Sequence, residues 1–138
     1  MERSGSSVQN GSKEKVKKPR MKTSSCKQKG SVLQQWTCAE ISKITGYSWG
    51  HDEPIESRGM GQNGVDVRME SAVQKLFPFS VECKNCESWS VHSWIEQSKA
   101  NQKEGTDWLI VAKRNRGKPV VVIDAEVFFA LMEKVIGK

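Results

Sequence analysis

The chain has 138 residues, 36% of them hydrophobic and 28% charged, with a formal charge of +6. That length holds one ordinary domain, and no apolar run approaches the roughly 18 residues a membrane-spanning helix needs, so a soluble protein without membrane association is expected. The first thirty residues have neither the apolar stretch nor the cleavage site of a secretory signal, which predicts a cytoplasmic protein with reduced cysteines.

The basicity is concentrated at the start. Residues 1–30 carry nine Lys or Arg against Glu2 and Glu14, a net +7, leaving thirteen basic and fourteen acidic residues in the rest of the chain, a net −1. With almost no apolar side chains to bury, residues 1–30 are expected to form a disordered basic arm, and the folded domain to occupy 31–138. Such an arm attracts polyanions, of which nucleic acid is the commonest in a cell.

In residues 31–45, Val32, Leu33, Trp36, Ile41 and Ile44 have near-helical spacing, closed by Gly46 where a helix takes its C-terminal glycine. Heavy Gly and Pro punctuation then predicts a loop with one short strand over 46–64. A second strand is expected around Val65–Glu70, and a stronger one in Phe79, Val81 and Cys83, which alternate with Ser80, Glu82 and Lys84. Ser90 is placed to cap a helix with Val91, Trp94 and Ile95 on one face. The runs WLIVA and VVVI predict two strands buried on both faces, and Asp124 opens a last helix with Val127, Phe128, Leu131 and Val135 as its apolar side. Helix, strands, helix, strands, helix predicts an α/β fold, a central mixed sheet with helices on its faces.

The residues that carry chemistry are Asp66, Glu82 and Lys84. Alternation along a strand sends Glu82 and Lys84 to one face and Cys83 to the other. Two carboxylates at neighbouring strand positions suit a hard divalent cation, and an adjacent lysine can orient a water and stabilise charge on a phosphate.

A glycine-rich turn SRGMGQNGVD ending at Asp66, the strand segment Val81-Glu82-Cys83-Lys84, and Trp94-Ile95-Glu96-Gln97 in the next helix together resemble the PD-(D/E)xK nuclease superfamily. In layout they are most similar to archaeal-type Holliday junction resolvases and related phage endonucleases, and the resemblance extends over residues 31–135. It implies a restriction-endonuclease-like core and a Mg²⁺-dependent endodeoxyribonuclease in which Mn²⁺ substitutes. Asp66, Glu82 and the carbonyl of Cys83 would bind the metal, Glu40 of the first helix would complete its shell, and Lys84 would position the attacking water. Val65 stands where the family name has proline, and Asn101 where some branches carry tyrosine.

Around this centre, Gln97 is expected to hydrogen-bond the active-site phosphate or a metal-bound water. Arg58 would clamp a backbone phosphate with Gln62 near the metal, and the turn carrying Lys113, Arg114 and Arg116 would reach DNA if it lies on the active-site edge. Cys83 and Cys86 have zinc-like spacing, but Cys83 starts from a buried strand face, so free thiols are the preferred reading. Trp36, Trp94 and Trp108 are expected in the core, leaving Trp49 and Trp89 as candidates for base stacking; His51 and His92 lack ligand spacing.

The expected function is therefore metal-dependent hydrolysis of DNA phosphodiesters, selective for structure, with branched DNA as the partner. For symmetrical junction cutting it would also need a homodimer through the apolar last helix. A phage-encoded protein would work in the host cytoplasm. The alternative is a non-catalytic DNA-binding protein on a nuclease fold.

Overall fold

A computed structural model describes residues 23–59 and 64–137, with side chains from Lys29 onward. The elements run α1 (Thr23–Thr45), β1 (Ile55–Ser57), β2 (Val67–Met69), α2 (Ser71–Leu76), β3 (Phe79–Asn85), α3 (Val91–Asn101), β4 (Asp107–Lys113), β5 (Val120–Ile123) and α4 (Ala125–Ile136). The fold is α/β, as the order of elements predicted. A three-stranded mixed sheet ordered β3-β4-β5 pairs β3 parallel to β4 and β4 antiparallel to β5, and β1 and β2 form a separate antiparallel pair. Among the described residues no helix is long and apolar enough to cross a membrane.

Alternation in β3 and β4 divides the core in two. Phe79, Val81, Leu109 and Val111 pack with Leu33, Cys38 and Ile41 of α1 and with Ile55, Val67, Met69 and Val73, while Val127 and Leu131 of α4 join from the rim. On the opposite face Ile110 and Ala112 pack with Trp94 of α3 and with Trp108. Parallel pairing needs a crossover, and α3 supplies it between β3 and β4.

Four features differ from the sequence-based expectations. The first helix starts at Thr23, inside the segment expected to be disordered. A helix needs no apolar face at its end to continue from a packed turn, and here Asn85 Nδ2 donates to the Lys29 carbonyl at 3.4 Å while Lys29 Nζ donates to Asn115 Oδ1 at 2.8 Å. Residues 1–22 of the expected arm lie outside the described residues. Along α1 the buried stripe is Leu33, Gln34, Thr37, Cys38 and Ile41, so Trp36 is not in the core but 44% exposed. The strand β5 is an edge strand, with Val120 and Val121 exposed rather than buried on both faces. Finally, Ser90 precedes α3 without a side-chain capping bond, whereas Asp124 caps α4 by accepting from the Glu126 N–H at 2.9 Å.

Candidate active site

The site forms where the loop ahead of β2 meets the middle of β3. Gly64, with φ of +93°, turns the chain just before Asp66, and the Arg58 side chain lies 3.7 Å from where a Cβ would project from it. Any larger residue there would be strained in this conformation. The Asp66 backbone is held on both sides: its N–H donates to the Val81 carbonyl at 2.9 Å, and its carbonyl accepts from the Arg58 N–H at 2.8 Å. Its side chain bridges to the same strand, Oδ2 accepting the Cys83 N–H at 2.7 Å.

Glu82 faces α3, in register with Ile110 of β4, and is 4% exposed. Asn101, in the last turn of α3, donates from Nδ2 to Glu82 Oε2 at 3.1 Å. Lys84 projects to the same face and donates from Nζ to Gln97 Oε1 at 2.9 Å. Gln97 and Asn101 are four residues apart, so one flank of α3 meets both Lys84 and Glu82.

These contacts set the electrostatics. Burial raises the Glu82 pKa, and the neighbouring Asp66 carboxylate adds to it, bringing the group to about 7 even though Asn101 and Lys84 favour the charged form. Asp66 is also raised, chiefly by burial, against the opposing pull of the Cys83 N–H, Lys84 and Arg58. Two desolvated carboxyls interacting directly, with one lysine beside them, form a pocket short of positive charge.

Cys83 lies across the strand. Its Sγ is 3.6 Å from Thr37 Oγ1 of α1, and burial pushes its thiol well above the usual range. Cys86 packs with the Trp94 group on the other side of the sheet, so Cys83 and Cys86 join different cores. Reactive thiols are generally low in pKa, whereas that of Cys83 is raised, and zinc-binding thiols converge, whereas these two point into different cores.

A family model described as "Phage putative PDDEXK endonuclease" matches residues 25–137. The chain belongs to that PDDEXK endonuclease family. No curated protein and no solved structure matches it.

Within this PDDEXK chain, Asp66, Glu82, Lys84 and Gln97 come together, and Cys83 contributes its N–H to the group. Glu40 is not drawn in. It is half-exposed and paired with Lys43 at 3.0 Å, beside the buried stripe of Thr37, Cys38 and Ile41. Arg58 lies close enough for its charge to act on Asp66, and Gln62 lies outside the described residues. The basic turn is at the carboxyl end of β3, where Lys113 pairs with Asn85. Arg114 is taken up by Glu87 at 3.7 Å, whereas Lys113 and Arg116 line a groove against α1.

Sequence reasoning puts Asn101 on the Gln97 flank of its helix and notes it as a departure from a tyrosine-bearing branch, but gives it no role at the site. The four-residue spacing from Gln97 is the signal that could have found it. It also misses the grouping of His51 and Asp52, on the turn before β1, with Glu56 of β1 itself, whose ligand atoms lie within 4.8 Å of one another. Glu56 is already engaged there by the Asp52 N–H at 3.1 Å and Arg68 at 2.9 Å, which hold its carboxyl below the usual range.

Proposed function

We propose that the protein is a metal-dependent endonuclease that hydrolyses DNA phosphodiesters, with Asp66 and Glu82 as the carboxylates that hold a divalent cation. The observation that carries this reading is the direct approach of the two raised carboxyls beside Lys84. An all-oxygen donor set suits Mg²⁺ or Mn²⁺, and a cation would supply the positive charge that the pocket lacks. The Cys83 carbonyl is the backbone ligand in this reading. When bound, the cation would polarise a phosphate oxygen and lower the pKa of a water.

The chain's own groups divide the remaining work. Lys84 orients the attacking water and stabilises charge on the phosphate. Gln97 is a positioning residue acting through Lys84, to which it is bonded at 2.9 Å. Asn101 fixes the Glu82 carboxylate from the other end of the same helix flank. Water then attacks phosphorus and the P–O3′ bond breaks, leaving a 5′-phosphate and a 3′-hydroxyl.

We read the substrate as structured, branched DNA, because a domain this small has little room for sequence-reading insertions. A second copy is the expected partner of the face formed by β5 and α4, where Val121, Phe129, Val135 and Ile136 are all more than half exposed. Phe129→Glu should convert a homodimer to a monomer in light scattering; an unchanged mass would remove the dimer from the reading.

The test of the activity is a cleavage panel of four-way junctions, flaps, single strands and linear duplex. Cutting is expected with Mg²⁺ or Mn²⁺ and not with Ca²⁺ or EDTA. Absence of cutting on every substrate with Mn²⁺ would defeat the enzyme reading. Uniform cutting of all four would defeat structure selectivity alone.

A further inference from the structure

A groove of about 730 Å³ opens at the carboxyl end of β3, between α1 and the β4–β5 turn. It lies on the sheet face opposite Lys84, yet Asn85 on its wall is the next residue along the strand, about 3.3 Å of rise away. Its lining combines three cations, Lys29, Lys113 and Arg116, with Trp36 and Asn85, and no acidic side chain is among the lining residues. Trp36 is 44% exposed, unusual for a tryptophan next to a core. Asn85 Nδ2 donates to the Lys29 carbonyl at 3.4 Å, while its Oδ1 is shielded from solvent and accepts no hydrogen bond among the described residues.

We propose that this groove holds a single-stranded segment of the DNA substrate immediately beside the scissile phosphate, with one base stacked on Trp36. The inference rests on the nuclease reading and deepens it by naming the substrate class. An aromatic face flanked by cations, with no negative charge on the wall, is the combination that binds single strands: the ring takes a base and the cations take the phosphates. Duplex cannot use it in the same way, because its bases are already stacked on one another. Asn85 Oδ1 lacks a donor among the described residues, and the amino or imino groups of an unpaired base edge supply donors that pairing would otherwise occupy. The carboxyl end of β3 therefore has two working sides, a cleavage pocket at Glu82 and Lys84 and a single-strand seat at Asn85. A substrate that changes from duplex to single strand at the cut, such as a flap or a junction arm, fits both.

The test uses the full chain in EDTA, where no hydrolysis competes, and compares binding of short oligothymidylate with binding of a duplex of equal length. Trp36→Ala should weaken oligothymidylate binding about tenfold, the scale of one base–aromatic stack, and bring the single-strand to duplex affinity ratio toward one. Trp36→Phe should restore most of it. Arg116→Glu, a change at an exposed turn position, should lower the same ratio and serves as a second reading if Trp36→Ala folds poorly. Equal weakening of single strand and duplex by Trp36→Ala, or no weakening of either, would overturn the proposal, as would failure of Trp36→Phe to recover the binding that Trp36→Ala removes. Since the measurement involves no cleavage, failure of the wild-type protein to cut any substrate with Mn²⁺ would sink the nuclease reading without deciding the groove.

Discussion

The two faces of β3 share one backbone and differ in almost everything else. Toward α3 the strand presents Glu82 and Lys84, met by Asn101 and Gln97. Toward α1 it presents Val81, buried in the main core, and Cys83, whose thiol is held neutral against Thr37. Burial is common to both faces; what separates them is whether the buried groups are charged. On the α1 side dry packing contributes stability. On the α3 side the same dryness raises the pKa of Glu82 and of Asp66 beside it, and in the proposed function a cation would offset their charge. In the proposed function, catalysis draws on one acid, Glu82, set at a position that its neighbour across the sheet, Ile110, marks as core.

The largest break in that contrast comes from the acids themselves. Asp66→Asn and Glu82→Gln should each reduce cleavage by about 10²- to 10³-fold, the scale on which removal of a charge-stabilising group acts, while DNA binding in EDTA is kept. Full activity in the double variant would remove the assignment altogether. Asn101→Ala should cost less, about 10- to 100-fold in metal affinity or rate, as expected for a group that orients a ligand from behind. Thr37→Val on the opposite face is the control, expected to change stability by about 1 kcal/mol with the Mn²⁺ requirement unaltered. If Thr37→Val shifted the metal titration as far as Asn101→Ala, the two faces would not be independent.

The pH dependence sharpens the same point. Glu82 is raised from 4.5 to about 7, so between those values the folded state binds more protons than the unfolded chain. Its contribution to stability is present in full below pH 4.5 and is lost as pH rises through about 7. Metal-free protein should lose up to about 3 kcal/mol from this group over that window, and Glu82→Gln should flatten the loss and be the more stable of the two at pH 8. Urea midpoints across the range measure it; a wild-type curve parallel to that of Glu82→Gln would show that Glu82 is not raised.

The site is more legible in the sequence than the surface around it. Glu82 and Lys84 can be placed because strand alternation is local, depending on a period of two and on nothing distant, whereas Asp66, in the loop ahead of β2, follows from its glycine-rich turn and the resemblance. Gln97 follows from helical spacing and from the resemblance. Asn101 obeys the same spacing, but residue type, judged ahead of position, hides it. Trp36 escapes for a different reason. Its apolar character suggests the core, yet in α1 the buried stripe recruits Gln34 and Thr37 while Val32 and Trp36 stay exposed. A weakly amphipathic helix does not announce which side it will bury. The exposed valines of β5 show the same gap: a continuous apolar run cannot reveal whether a strand is central or at an edge.

The smallest expected effect belongs to the basic residues ahead of α1. Because the helix starts at Thr23, the informative truncation removes residues 1–22, which hold seven Lys or Arg, and leaves the helix entire. Phosphate contacts position a protein without carrying base information. Truncation should therefore lower affinity modestly and reduce the slope of log K against log salt by about 0.7–0.9 for every phosphate no longer engaged, with the cleavage products unchanged. The two regions thereby separate quantitatively: Trp36→Ala should change the single-strand preference without changing the slope, and the truncation should change the slope without changing the preference. An unchanged slope in the truncated protein would show that this segment does not touch DNA. Displaced cut positions would mean that it selects the site of cleavage, a task the groove and the carboxylate pocket would then share with it.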